Sequence, residues 1–246
     1  LLRFLAIASH DLKAPLSAVQ SYIQLMLGGF SGELTDKQRQ MLSRSSTRIT
    51  EQLELINDLL DISRIEGGQI VREMEEVSLS QIFNDSVENV RAMADDKKIK
   101  LSIKVPASLP KIKASSARLK QVITNLFSNA VKFTPENGSV LLRVTEQNGD
   151  ILTEVMDTGI GISAEDLPKV FDDFYRGGDK EKTGTGLGLS IVRRVVEAHG
   201  GKVWVESPNP EDKNGRGSKL SFTLPHNLVI AGKKSNQKER VKSQKK

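Results

Sequence analysis

Over residues 1–66, apolar side chains recur every three or four positions. Leu5, Ala8, Leu12, Leu16, Val19, Ile23 and Met26 form one series, ended by Gly28 and Gly29. Leu42, Ser46, Ile49, Leu53, Ile56, Leu60 and Ser63 form a second, ended by Gly67 and Gly68. That period places each series on one face of a helix, and the glycines mark where each helix stops. Between them, "GGFSGELTDKQ" offers Thr35 as an N-cap with Gln38 three residues on, the spacing of a capping box. Two antiparallel helices leave an apolar seam uncovered. A second copy of the chain would cover it in a four-helix bundle, so a homodimer through residues 1–66 is expected.

From about residue 77 the rhythm shortens to two. "KLSIKVP", "SVLLRVTEQNGDILTEVMD", "GKVWVES" and "SKLSFTLP" alternate as strands do, and Asn148-Gly149 is a hairpin turn. Helical patterns near 79–96, 116–133 and 187–199 separate the strands. Intermixed strands and helices with hairpins predict a mixed sheet covered by helices on one face. Residues 67–76 are expected to join the two blocks.

Composition narrows the function. The absence of cysteine excludes disulfides, thiol catalysis and cysteine-bound metals. No apolar run is long enough to span a membrane and no secretory signal opens the chain. The first residues already lie in a helical pattern and no Met precedes them, so an upstream segment is expected. The net charge of +5 sits in residues 227–246, where seven Lys/Arg stand against Glu239. That stretch carries +6, which leaves −1 on the rest. Such a polar, aperiodic tail reads as solvated and disordered. Aromatic residues are few and not interleaved with basic ones, so no nucleic-acid partner is expected.

One of only three histidines lies in "SHDLKAPL", residues 9–16. At about 100° per residue, His10 points roughly 160° from the centre of its helix's apolar stripe, toward solvent. Asp11 can accept the Nδ1 proton and leave Nε2 with a free lone pair. Pro15 removes the hydrogen bond to the Asp11 carbonyl and crowds it, at a cost of about 3 kcal/mol in a helix interior, so a bend is expected beside the histidine. A functional site is one account; a surface histidine without a role is the other. A metal site would need imidazoles from His199 or His226, an unfavourable reading.

In "LKQVITNLFSNAVKF", Asn125, Asn129 and Lys132 cluster beside an apolar helix face. Carboxamide oxygens suit Mg²⁺ and a lysine suits phosphate, although a polar helix margin would look the same. "MDTGIGI" ends a strand on Asp157 and turns on Gly159 and Gly161. A buried carboxylate there could accept a hydrogen bond from an exocyclic amine such as that of adenine. "TGTGLGLSIVRRVV" sets Gly184, Gly186 and Gly188 before a helix, a place where backbone amides attract anions. The polar "FDDFYRGGDKEKT" between them suits a mobile lid. Neither glycine stretch has the Walker or Rossmann spacing.

These stretches, in this order, resemble the catalytic core of the sensor histidine kinases of two-component systems, from residue 1 to about 225. "FLAIASHDLKAPL" is similar to the family's H-box, "NLFSNAVKFT" to the N-box, "DTGIGI" and "GTGLGLSIV" to the two glycine boxes, and "FDDFYR" to the F-box. The resemblance implies a dimeric helical hairpin (1–66), a linker (67–76) and an ATP-binding α/β sandwich of the gyrase and heat-shock-chaperone type (77–226), followed by the tail. It implies His10 as phosphoacceptor and Asp11 as its acid/base partner. Asn129 would hold Mg²⁺, with Asn125 and Lys132 at the phosphates of ATP. Asp157 would bind adenine, with Gly159 and Gly161 shaping its pocket and Ser218 beside it. Gly184, Gly186, Leu187 and Gly188 would form the lid hinge and phosphate cradle, and Arg176, after Phe171 and Phe174, would reach the terminal phosphate.

The implied partner is the receiver domain of a response regulator, with a sensory domain upstream. The implied location is cytoplasmic for this piece, with membrane attachment upstream. Where the family commonly has Thr or Asn four residues past the histidine, this chain has Ala14, so weak phosphatase activity is expected. The rivals are an ATPase of the same superfamily that drives dimer rearrangement, a serine kinase, and a scaffold without turnover.

Overall fold

In the computed structural model the two helical series form an antiparallel hairpin, α1 (Leu2–Leu27) and α2 (Asp36–Glu66). The structure describes residues 2–106, 108–177, 184–212 and 214–226, with side chains from residue 11 onward except at position 89. The basic stretch 227–246 and residues 178–183 of the expected lid therefore lie outside the described residues, as does the His10 side chain. Thr35 opens α2 as anticipated: its Oγ1 accepts from the Gln38 amide and the Gln38 side chain accepts from the Thr35 amide. Such a cap contributes about 1 kcal/mol. α1 continues through Pro15.

The hairpin is tied by Gln20 Nε2 to Thr50 Oγ1 (2.8 Å) and Gln24 Nε2 to Ser46 Oγ (3.0 Å). Both pairs obey one antiparallel register, which carried along the helices sets residue 12 level with residue 58. Within a single chain Ile23 is buried, whereas Leu12, Val19, Tyr22 and Met26 remain exposed, Tyr22 at 63%. An apolar row this open on a helix is a face that awaits a partner.

Residues 67–76, expected only to connect, hold a short helix α3 (Gln69–Arg72) and the start of β1 (Glu75–Val77). β1 pairs antiparallel with β3 (Ile112–Ala114) as a separate two-stranded sheet. The main sheet has the order β2 (Lys100–Lys104), β4 (Ser139–Gln147), β5 (Asp150–Asp157), β7 (Lys219–Pro225), β6 (Val203–Glu206). β2 runs parallel to β4 and all other pairs are antiparallel, so the sheet is mixed. Helices α4 (Leu79–Asp96), α5 (Ser116–Phe133) and α6 (Gly188–Ala198) cover it.

Strand alternation decides which side they cover. Val140, Leu142, Val144, Ile151, Val155, Leu220, Phe222 and Leu224 face the helices and are almost wholly buried. The opposite face carries an ion-pair ladder, Glu211–Arg143–Glu154–Lys219–Glu206, which suits contact with water. His199 closes the core at the end of α6. Its ring is fully buried, with Nδ1 against the Val195 carbonyl (2.8 Å) and Nε2 accepting from the Ser115 amide (3.0 Å). Both nitrogens are used inside the core, and desolvation lowers its pKa. It is the satisfied core histidine, not a metal ligand.

Candidate functional site

A cleft of about 1150 Å³ separates α2 from the helix-covered side of the second block. Asp157 forms its floor at the end of β5, only 5% exposed. Its Oδ1 accepts from the Gly159 amide (2.8 Å) and the Ser218 amide (3.2 Å), which leaves Oδ2 for a ligand's donor. Burial outweighs those two bonds and pushes the carboxyl up to about 6. Ser218 and Gly161 line the cleft beside it. Gly159 stands behind the wall, where a Cβ would lie 2.6 Å from the Phe133 carbonyl oxygen.

A loop not anticipated from the sequence completes this end. Gly217, at φ +75°, packs so close that a Cβ would fall 1.9 Å from the Asp157 carbonyl oxygen. Ser207 Oγ donates to the Gly217 carbonyl and accepts from the Ile162 amide. Buried Asn209 accepts from the Glu211 amide and reaches the Asp157 carbonyl at 3.4 Å. These contacts fold residues 207–212 and 214–217 over the tip of β5. The only local signal was the glycine and asparagine content of "SPNPEDKNGRG".

The other end of the cleft is built from α5 and the turn before α6. Asn125, Asn129 and Lys132 all line it, as the helical spacing anticipates. Asn125 spends its amide group on the Gly188 carbonyl (3.1 Å), tying α5 to the first residue of α6. The Lys132 ammonium lies 5.2 Å from the Phe133 ring centroid and beside Gly184, where a Cβ would come within 3.1 Å of it. Lys97, not anticipated, donates to the carbonyls of Val131, Lys132 and Thr134. Three bonds from one cation satisfy the orphan carbonyls at the end of α5 and complement its dipole, which fixes the backbone under Lys132.

Gly184, Gly186 and Gly188 border the cleft, and Arg176 reaches it from the segment after Phe174. Leu187 does not: its side chain is fully buried in the core, so it anchors the turn rather than touching a ligand. Thr185, between the glycines, was also missed. Its hydroxyl accepts from the Leu187 amide (3.2 Å) and donates to Asp58 Oδ2 on α2 at 2.6 Å. Further contacts hold α2 here. Asp61 accepts from Arg118 Nη1 and Gln121 Nε2, each at 2.7 Å, and Glu66 lies 3.5 Å from Arg194.

His10 occupies α1 and Asp11 beside it is exposed. The donor chemistry of the cleft suits a nucleotide with a hard cation. Amide oxygens, hydroxyls and an ammonium gather at one end and a buried carboxylate waits at the other. Among the described residues no three His, Asp or Glu side chains converge as a metal cage. A magnesium ion would thus need phosphate and water oxygens besides Asn129, as that ion ordinarily does.

Two family models match the chain. Residues 1–68 match the His Kinase A (phospho-acceptor) domain, and residues 114–228 match the histidine kinase-, DNA gyrase B- and HSP90-like ATPase. The chain is 37% identical over 230 residues to the non-motile and phage-resistance protein of Caulobacter vibrioides, which covers 90% of this chain and 27% of that protein. It is 33% identical over 232 residues to the circadian input-output histidine kinase CikA of Synechococcus elongatus, covering 92% and 30%. The chain thus spans about a quarter to a third of these relatives. Among solved structures, full-length ShkA in complex with AMPPNP superposes with a TM-score of 0.73 at 30% identity, over 92% of this chain and 46% of that one. A mycobacterial sensor histidine kinase, MprB, superposes with a TM-score of 0.57 at 28% identity, over 63% of this chain and all of that one.

Proposed function

The chain belongs to the sensor histidine kinase family, and from that premise we propose that it transfers the γ-phosphoryl group of ATP to its own His10. The register of the hairpin carries this reading. Residue 12 of α1 lies level with Asp58 of α2, and Asp58 touches Thr185 in the glycine-rich turn. The phosphate end of the cleft is therefore level, along the hairpin, with the stretch of α1 that bears His10.

Adenine would give its amine hydrogen to Asp157 Oδ2, with Ser218 and Gly161 closing around the ring. Lys132, Asn125 and the turn at Gly184–Gly188 would hold the phosphates, and Arg176 would reach the terminal one. Asn129 would hold Mg²⁺, which when bound neutralises phosphate charge. The neutral His10 ring attacks through its Nε2 lone pair while Asp11 accepts the Nδ1 hydrogen. The new N–P bond forms as the bond to the ADP oxygen breaks, and ADP leaves. Alignment and charge neutralisation carry this reaction. The phosphoryl group would then pass to an aspartate of a receiver domain in a response regulator.

Residues 1–66 dimerise through Leu12, Val19, Tyr22 and Met26 and present His10, residues 67–76 connect, and residues 77–226 bind ATP. A cytoplasmic supply of ATP is required. The methyl group of Ala14 cannot orient an attacking water, so dephosphorylation of the partner would be weak. No described helix is long and apolar enough to cross a membrane.

After incubation with γ-labelled ATP, the protein should carry phosphate that survives alkali and is lost in acid, as a phosphoramidate is. Acid-stable phosphate would point to a serine kinase instead, and release of free phosphate without labelled protein to an ATPase.

A further inference from the structure

The side of α2 that faces the cleft is acidic where the opposite wall is built for phosphate. Glu51, Glu54 and Asp58 all line the cleft, opposite Asn125, Asn129 and Lys132. Asp58 Oδ2 holds the Thr185 hydroxyl at 2.6 Å, in the turn assigned above to phosphates. Glu54 lies within electrostatic reach of the Lys132 ammonium. Burial raises the pKa values of both carboxylates, aided by the neighbouring charges of Asp58 and Glu51 at Glu54 and of Asp61 at Asp58, while the Thr185 hydroxyl and the Lys132 ammonium act in the opposite sense. Their favourable contacts are with the groups that a triphosphate would use. Elsewhere α2 is anchored independently, through Asp61 to Arg118 and Gln121 and through Glu66 to Arg194.

We propose that Asp58 and Glu54 act as an internal stand-in for the nucleotide's phosphates, so that ATP and the docked hairpin compete for Thr185 and Lys132. This rests on the reading that the cleft binds ATP. A triphosphate cannot take the turn while Asp58 holds it, and it brings several negative charges against two carboxylates. Binding therefore costs the free energy of the docked contact, and by linkage ATP weakens docking by the same factor. The anchors at Asp61 and Glu66 lie farther along α2, so the hairpin can release the phosphate end while still attached. The device couples nucleotide loading to freedom of the domain that must approach His10.

The test is nucleotide affinity by calorimetry, with Mg²⁺, of the unsubstituted chain, Asp58→Asn and Glu54→Gln. Asp58→Asn keeps the shape and removes the charge. Glu54→Gln leaves the bond to Thr185 intact and alters a side chain open to the cleft, so misfolding cannot imitate the result in both. Each variant should bind ATP about three- to tenfold more tightly, the range set by one removed charge contact. The gain should shrink from ATP to ADP and vanish for AMP. Unchanged or weaker ATP binding in both variants would overturn the proposal, as would equal gains for ATP and AMP. No nucleotide binding by the unsubstituted chain would instead overturn the reading of the cleft itself.

Discussion

Replacement of His10 by glutamine abolishes labelling of the protein by γ-labelled ATP and leaves its ATP affinity within about twofold of the original. The two halves of this expectation come from different parts of the fold. Glutamine keeps a polar, helix-compatible side chain but has no ring nitrogen with a basic lone pair, so no N–P bond can form. The cleft, by contrast, is lined from α5, the end of β5, the turn before α6 and the facing side of the hairpin, so the groups assigned to ATP belong to the second block. Filter or gel autoradiography reads the first half and calorimetry the second. Label that persists on the variant would remove His10 from its role.

Asp157→Asn should act in the opposite order, weakening ATP binding by about a hundredfold or more. The asparagine oxygen can still accept from the Gly159 and Ser218 amides. Its NH₂ group then stands where Oδ2 was and meets the adenine amine donor to donor. Losing the acceptor and leaving two buried donors unpaired costs about 3 kcal/mol, which is roughly that factor. The same substitution should not destabilise the nucleotide-free protein. The folded-state pKa of about 6 lies above the ordinary aspartate value of 3.8, so the folded chain takes up the proton first as pH falls. The buried carboxylate therefore costs stability at neutral pH, a cost relieved progressively as pH falls from about 6 to 3.8. ATP affinity should fall over that same interval, because the acceptor is being protonated. The asparagine variant, with no carboxyl to titrate, should lose this pH dependence. Undiminished affinity in Asp157→Asn would undo the adenine assignment.

What could be read from the sequence was what neighbouring residues decide among themselves. Thr35 and Gln38 sit three apart, so the start of α2 could be named before any contact was known. Asn148 and Gly149 both adopt positive φ, 55° and 84°, which is the turn their identities request. The long periodic helices α4 and α5 stand where the pattern placed them. The three-residue strands β1 and β3 could not be found this way. They exist because Glu75 pairs with Ala114 across the chain, and three residues give alternation nothing to repeat.

The same boundary runs through the site. Asn129, Lys132 and Asp157 were legible, because charge or carboxamide chemistry beside an apolar stripe is unusual enough to notice. Lys97, Thr185 and Asn209 were not. Each works through a backbone or side-chain partner distant in sequence, Thr185 reaching Asp58 across 127 positions, and each is an ordinary residue for a surface loop or helix end. Leu187 shows the converse. Its place inside "GTGLGLS" suggested a ligand contact, whereas its burial makes it the pin that holds the glycine turn on the core.

The most direct measurement is the position of the phosphate itself. Trypsin should release residues 4–13, "FLAIASHDLK", which holds both Ser9 and His10. After reaction with ATP and digestion at alkaline pH, fragmentation in the mass spectrometer should place the phosphoryl group on His10, and brief acid treatment should remove it. Phosphate on Ser9, or on any peptide other than this one, would contradict the account.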